Sequence, residues 1–311
     1  MDYLQKIFKS IAIGLGIVIC LLVVKNQFSN YLLINAKYGI PMLIECKHID
    51  NLFLGSSTFR QGLDIIQIEE TLGNDSYILS YDGNQPVMEY CELRYLYEHG
   101  VEIDRLFVDF YPYTASSAFK ISDTKIFLET DIHFKNQIAV KLFENGEFGD
   151  VWEMFVGANN ELLLTWPLAY PLINNRFYKG GSMVDTLALE KQELDNLVVP
   201  QGESLNVIQM EYMLKIVDLA REKGTEVAFI EVPKYNTLFL NKQYMTLADE
   251  MEKEIRDVKV YRINWGNKEI YGDGDIYFQL NRAEYFSDLV HLSSLGKMEF
   301  TKKLLDKIKY N

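Results

Sequence analysis

The chain has 311 residues, with 31 Lys and Arg against 44 Asp and Glu, for a formal net charge of −13. That length suffices for one large α/β domain with a proper core, or for two small ones. The acidic excess argues against nucleic acid or anionic lipid headgroups as general partners. It carries no information on substrate.

Residues 7–24 (IFKSIAIGLGIVICLLVV) are apolar except for Lys9 and Ser10. The uninterrupted stretch 11–24 is somewhat shorter than the ~20 residues of a typical spanning helix. Lys6 and Lys9 stand before it, Lys25 closes it, and no convincing small-x-small cleavage site follows. The expectation is an uncleaved signal anchor over residues 1–25, a single transmembrane helix that leaves residues from about 30 onward outside the cytoplasm. Residues 26–45 read as a tether ending near Pro41, and residues 46–311 as the soluble domain. Three cysteines are too few for a disulfide scaffold, and Cys20 lies in the span. Cys46 and Cys91 have the chance to pair, but free thiols are expected.

Strand-like and helix-like segments then alternate. Asn51-Leu52-Phe53-Leu54 is a short buried strand that stops at Gly55-Ser56-Ser57. A helix over 58–72 is predicted from the apolar residues Leu63, Ile65, Ile66 and Ile68. A second strand at 76–81 (SYILSY) runs into the turn signal Asp82-Gly83-Asn84. A helix over 85–98 ends before Gly100, and RLFVDF at 105–110 is the third strand. Residues 114–200 break the rhythm and read as an insertion over the carboxyl edge of the sheet. Alternation resumes with a helix at 203–223, a strand at 226–232, a helix at 243–256, a strand at 258–263 and a final helix at 293–309. Strands separated by helices imply a parallel sheet with helices on both faces. Ligands of such sheets bind beyond the carboxyl ends of the strands.

Gly55-Ser56-Ser57 puts a hydroxyl at that edge, where the first amides of the following helix are unpaired and can bind an oxyanion. A serine nucleophile needs a base and a group to orient the base. The chain has four histidines. His99 sits at a helix end, His133 in the insertion, and His48 before the first strand, at the opposite edge from Ser57. His291 remains, within Asp288-Leu289-Val290-His291 just before the last helix. An Asp three residues ahead brings its carboxylate to one ring nitrogen and leaves the other free as a base.

This order of motifs resembles the SGNH/GDSL hydrolase superfamily, whose members share a three-layer α/β/α flavodoxin-like fold. Gly55-Ser56-Ser57 matches its first block, with Ser57 as nucleophile. Tyr81-Asp82-Gly83-Asn84-Gln85-Pro86 is similar to the second, which assigns Gly83 to the oxyanion hole beside the Ser57 amide. Asp288 and His291 match the last. The third block departs: the family's asparagine is absent from Val108-Asp109-Phe110-Tyr111-Pro112-Tyr113, leaving Asn84 or Tyr111 as substitutes. Loss of one such donor can cost about 100- to 1000-fold in rate. Gly-Ser-Ser, the anchor and the insertion look most like the branch of teichoic-acid D-alanyl transfer proteins and alginate-type O-acetyltransferases.

The resemblance implies a membrane-anchored extracytoplasmic acyl esterase or O-acyltransferase. Its substrate would be an acetyl or D-alanyl ester of an envelope polysaccharide or teichoic-acid-like polymer, and its partner a membrane-bound O-acyltransferase. A non-catalytic subunit of the same fold is the alternative. Other motifs are weaker. Ser204 reads as an N-cap, and Gly272-Asp273-Gly274-Asp275 as a solvated turn rather than a calcium loop. Trp166, Tyr170, Phe177 and Tyr178 read as local core or as an aromatic platform. Nothing resembles a phosphate loop or zinc site, so no cofactor and no metal is expected.

Overall fold

The computed structural model describes residues 2–35, 39–73, 75–145, 177–199, 204–255, 257–264 and 276–309. Five parallel strands form the central sheet: β1 (His48–Ser56), β2 (Ser76–Tyr81), β3 (Glu102–Asp109), β6 (Glu226–Ile230) and β7 (Lys259–Tyr261). Their order is β2-β1-β3-β6-β7. This is the doubly wound order in which the chain reverses direction between β1 and β3, so loops after those strands diverge and leave a crevice at their carboxyl ends.

Both faces of the sheet are covered, which explains why its strands are continuous apolar runs rather than alternating ones. Leu52, Leu54, Leu106 and Val108 point to one side. They pack under α2 (Gly39–Cys46), α5 (Pro86–Glu98), α8 (Ile132–Asn145) and α10 (Val207–Glu222). Phe53, Ile78, Phe107 and Ile230 point to the other, under α3 (Ser57–Gly62), α4 (Ile65–Leu72) and the last helix, α13 (Ser294–Lys309). Register partners Phe53 and Phe107 stack with ring centres 4.7 Å apart. The molecule is thus a three-layer α/β/α sandwich.

Several elements differ from expectation. The helix expected over 58–72 is two helices, because the Asp64 carboxylate accepts from the amides of Ile66 (3.0 Å) and Gln67 (3.4 Å) and starts α4 afresh. Asn206, not Ser204, caps α10 in the same way. Residues 39–45, expected as tether, form α2 together with Cys46, with Pro41 in its first turn, where no amide is missed, and with Ile40 and Leu43 fully buried.

α6 (Pro112–Ser116) leads into the stretch read as an insertion, within which lie α7 (Ile126–Glu129), α8, a small hairpin of β4 (Phe177–Tyr178) and β5 (Gly181–Ser182), and α9 (Lys191–Asp195). The hairpin lies along the outer edge of β2, where the Ile78 amide donates to the Lys179 carbonyl. Gly180 has φ +81° there, and a Cβ on it would meet the Ile78 carbonyl. Trp166, Tyr170 and Gly272-Asp273-Gly274-Asp275 fall outside the described residues, as does the side chain of Phe177.

The segment 2–35 is one helix, α1, with Ile11, Leu15, Val18 and Leu21 exposed. Among the described residues no helix is long and apolar enough to cross a membrane. The side chains at 19, 22 and 25–30, within or beside the expected span, are not among those described.

α2 is fastened by a buried carboxylate. Glu129 accepts from the Ile40 amide (3.0 Å) and the Tyr81 hydroxyl (2.8 Å), and burial pushes its carboxyl up to about 7. The folded state therefore holds this proton more tightly than the unfolded chain. Its stabilising effect is full below about 4.5 and is lost as pH rises through about 7. Glu89 and Glu92, also raised by burial, act in the same direction. The melting temperature should therefore fall between pH 5 and pH 8, and Glu129→Gln should fall less than wild type in paired thermal melts.

Candidate active site

The local geometry starts at Gly55. A Cβ there would come within 2.6 Å of the Asp109 Cβ, so only glycine lets the ends of β1 and β3 approach this closely. The Asp109 carboxylate then reaches across. Its Oδ2 accepts from the Ser56 hydroxyl (2.8 Å), the Ser56 amide (3.4 Å) and the Thr58 hydroxyl. Both neighbours of Ser57 are pinned, and Ser57 opens α3 at the carboxyl edge of the sheet.

The Ser57 Oγ lies 2.9 Å from Nε2 of His291, and His291 Nδ1 lies 2.8 Å from Oδ2 of Asp288. A carboxylate can only accept, so Nδ1 carries the proton and Nε2 of the neutral ring presents its lone pair to the serine hydroxyl. The other Asp288 oxygen accepts from the amides of Val290 (2.6 Å) and His291 (2.7 Å), closing the loop onto itself. Burial pushes the Asp288 carboxyl up, but hydrogen bonds from the His291 ring and these amides outweigh it and hold it below the usual carboxylate range.

The loop is seated by α13. The Ser293 amide donates to the Tyr285 carbonyl (2.9 Å), and a Cβ on Gly296 would strike that same carbonyl. The Thr301 hydroxyl accepts from the Asp64 amide (2.9 Å), which fixes α13 beside α3 and α4.

Gly83 and Asn84 follow β2. Register pairs Ser56 with Tyr81, so the turn after Tyr81 lies alongside Ser57. Gly83 has φ +63°, and a Cβ on it would press within 2.8 Å of Ser122, so glycine is required. The Asn84 side-chain amide is already engaged, donating to the Gly55 carbonyl (3.3 Å) and to Glu92 (3.1 Å). Arg60 of α3, nearly buried, forms an ion pair with Asp82 and ties the first helix to this turn.

The other histidines lie elsewhere. His99 faces the Tyr95 carbonyl (2.8 Å) at the end of α5. His133 is in the first turn of α8, where the Asp131 carboxylate accepts from its amide (2.9 Å). His48, at the start of β1, groups with Asp50 and Asp75, their ligand atoms within 4.8 Å of one another. Among the described residues this is the one group able to hold a metal ion. It is largely exposed and lies at the opposite edge from Ser57, and such exposed groupings are common without an ion. Neither Cys46, which is exposed, nor Cys91, which is buried, is in a disulfide, and burial pushes the Cys91 thiol up to about 12.

Asp109 is not among the residues expected at the site, although it stands next to last in the apolar run RLFVDF. Lys234, beyond β6, is also unforeseen. Its side chain is fully buried, and its Nζ lies 4.5 Å from the centre of the Tyr111 ring.

No protein-family pattern matches the chain, and no curated protein does. Solved structures similar to it include a provisionally assigned platelet activating factor of Streptococcus pneumoniae, at 12% identity and TM-score 0.36 over 95% of this chain and 98% of that one. A GDSL-like lipase of Bacteroides thetaiotaomicron shares 9% identity at TM-score 0.38, over 91% and 99%. A provisionally assigned acylhydrolase of Bacteroides fragilis shares 11% at 0.36, over 84% and 88%. Likeness this loose does not bear on chemistry, which rests on the contacts above.

Removing the Asp109 carboxylate strands three buried donors. Asp109→Ala should therefore cost about 2–4 kcal/mol of stability. Urea denaturation should show this as a lower midpoint with unchanged slope.

Proposed function

We propose that the chain is an SGNH-like serine acyl esterase or O-acyltransferase. The observation that carries this reading is the unbroken line of contacts from Ser57 Oγ to His291 Nε2 (2.9 Å) and from His291 Nδ1 to Asp288 (2.8 Å). His291 takes the Ser57 proton as Oγ attacks an ester carbonyl. The negative charge that develops on the carbonyl oxygen falls to the amides of Ser57 and Gly83. Collapse breaks the bond to the leaving alcohol, which receives the proton from His291. An acceptor hydroxyl, or water, then gives its proton to His291 and attacks the acyl-serine. Ser57 leaves and is reprotonated.

The acyl group is proposed to be acetyl or D-alanyl, and the acceptor an envelope polysaccharide or teichoic-acid-like polymer, beside a membrane-bound O-acyltransferase. The anchor belongs to the same proposal. α1 carries exposed Ile11, Leu15, Val18 and Leu21, apolar area that a bilayer would remove from water. On this reading the protein stays in the membrane pellet after carbonate washing, and a chain lacking residues 2–35 does not.

A second reading, a non-catalytic subunit that docks on an acyltransferase, is favoured by the engagement of Asn84 with Glu92 and the absence of an asparagine after β3. Fluorophosphonate labelling separates the two. Ser57 should be labelled in wild type, and Ser57→Ala should abolish both labelling and turnover of a small acetyl ester while melting normally. Asp288→Asn should lower kcat by about 10³- to 10⁴-fold, because the ring then loses its tautomer. A folded wild type that neither labels nor turns over would sink the enzymatic reading.

A further inference from the structure

Lys234 has no hydrogen-bond acceptor for its Nζ among the described residues, although its side chain is 0% exposed. A bare ammonium inside a protein is costly and persists only where its surroundings fix it or function requires it. Two other cations at this end of the sheet have partners. Arg60 pairs with Asp82, and Arg262 with Glu231, Asp249 and Glu252.

The charged groups facing Lys234 are Asp109 at the end of β3, Glu231 beyond β6 and Asp288 in the loop before α13; the Tyr111 ring covers it. Glu231 is already satisfied by the Tyr244 hydroxyl (3.3 Å), the Ile263 amide (3.1 Å) and Arg262. That leaves Asp109, whose Oδ1 also lacks a donor, and Asp288. One pins the residues beside Ser57, and the other orients His291. The backbone reinforces the arrangement, since the Tyr235 amide donates to the Leu289 carbonyl (3.0 Å) and so locks the Lys234 loop to the Asp288 loop.

We propose that Lys234 is a positioning residue for the Ser57 site: its buried charge is shared by the Asp109 clamp and the Asp288–His291 pair, and it sets the proton affinity of His291. The inference rests on the acyl-transfer reading of Ser57, His291 and Asp288. Burial pulls the Lys234 ammonium down to about 8, against the pull of Asp109, Glu231 and Asp288, so the charge is present at neutral pH and lost in mild alkali. The link to His291 runs through Asp288, which faces Lys234 and binds the ring; without the competing cation that carboxylate should favour the imidazolium more strongly, and His291 should then titrate at higher pH.

The test is the pH titration of the His291 ring, followed by NMR on the full chain with labelled histidine. Wild type should show a second inflection near pH 8 as Lys234 loses its proton. Lys234→Met should abolish that step and raise the main midpoint by at least ~0.5 pH unit. Curves that superimpose for the two proteins would overturn the proposal. Should Lys234→Met fail to fold, wild type alone decides, because a single-step curve with nothing near pH 8 overturns it equally. Ring titration needs no turnover. A wild type that is silent to fluorophosphonate but titrates in two steps therefore defeats the acyl-transfer reading while supporting the Lys234–His291 coupling.

Discussion

The Asp109 carboxylate joins the ends of β1 and β3 by accepting from Ser56 and Thr58, and the placement of Ser57 depends on that bridge. The glycine of Gly55-Ser56-Ser57 has its explanation here. A side chain at 55 would collide with Asp109 and force the two strand ends apart. The motif is thus a packing requirement of two adjacent strands as much as a chemical signature. Because the doubly wound order reverses between these same strands, the bridge lies where the following loops part and where a ligand has room to approach.

His291 reaches this point from the far end of the chain because α13 packs against α3 and α4. The Asp64 amide bond to Thr301 fixes the helix lengthwise, and Gly296 lets its first turn lie on the Tyr285 carbonyl. The preceding loop is almost self-supporting, since one Asp288 oxygen holds two backbone amides and the other holds the ring. Ser57, Asp288 and His291 are therefore held by contacts whose other ends lie in regular elements. Such preorganisation is what a charge-developing reaction needs, because little reorganisation remains for the reacting step.

Much of this is legible in the sequence. β2 was bounded to the residue, because SYILSY ends at a clear turn signal. Ser57, Asp288 and His291 were named from motif order, and they do meet. Breaks in helices were harder to see, because Asp64 and Asn206 act as caps within stretches whose apolar spacing continues across them. α2 is not foreseen because residues 26–45 read as a tether ending near Pro41, although proline is well tolerated in a first helical turn. Asp109 escaped notice for a different reason. The resemblance calls for an asparagine at that strand end, and only tertiary contact reveals what the aspartate does. Lys234 had no local signal at all: a lysine after Val232-Pro233 reads as a surface loop, and its burial is decided by Tyr111 and by the Leu289 bond of its neighbour.

The side of the site nearest β2 constrains how an oxyanion can be held. Asn84 is buried and bound to Glu92 and the Gly55 carbonyl, so turning its amide toward a substrate would strip a hydrogen bond from a buried carboxyl. Burial already raises Glu92 well above the usual carboxylate range, and the Asn84 bond is what opposes that rise. Losing it would leave a polar group in the core without its partner, a penalty of about 1–3 kcal/mol that would oppose any benefit to the transition state. Backbone amides carry no such conflict. Those at the first turn of α3 are free of intrahelical partners by construction, and the Gly83 turn is held in place by Ser122 packing and by the Arg60–Asp82 pair. A proposed oxyanion hole built from main-chain donors thus fits the packing around Ser57 better than one that recruits Asn84.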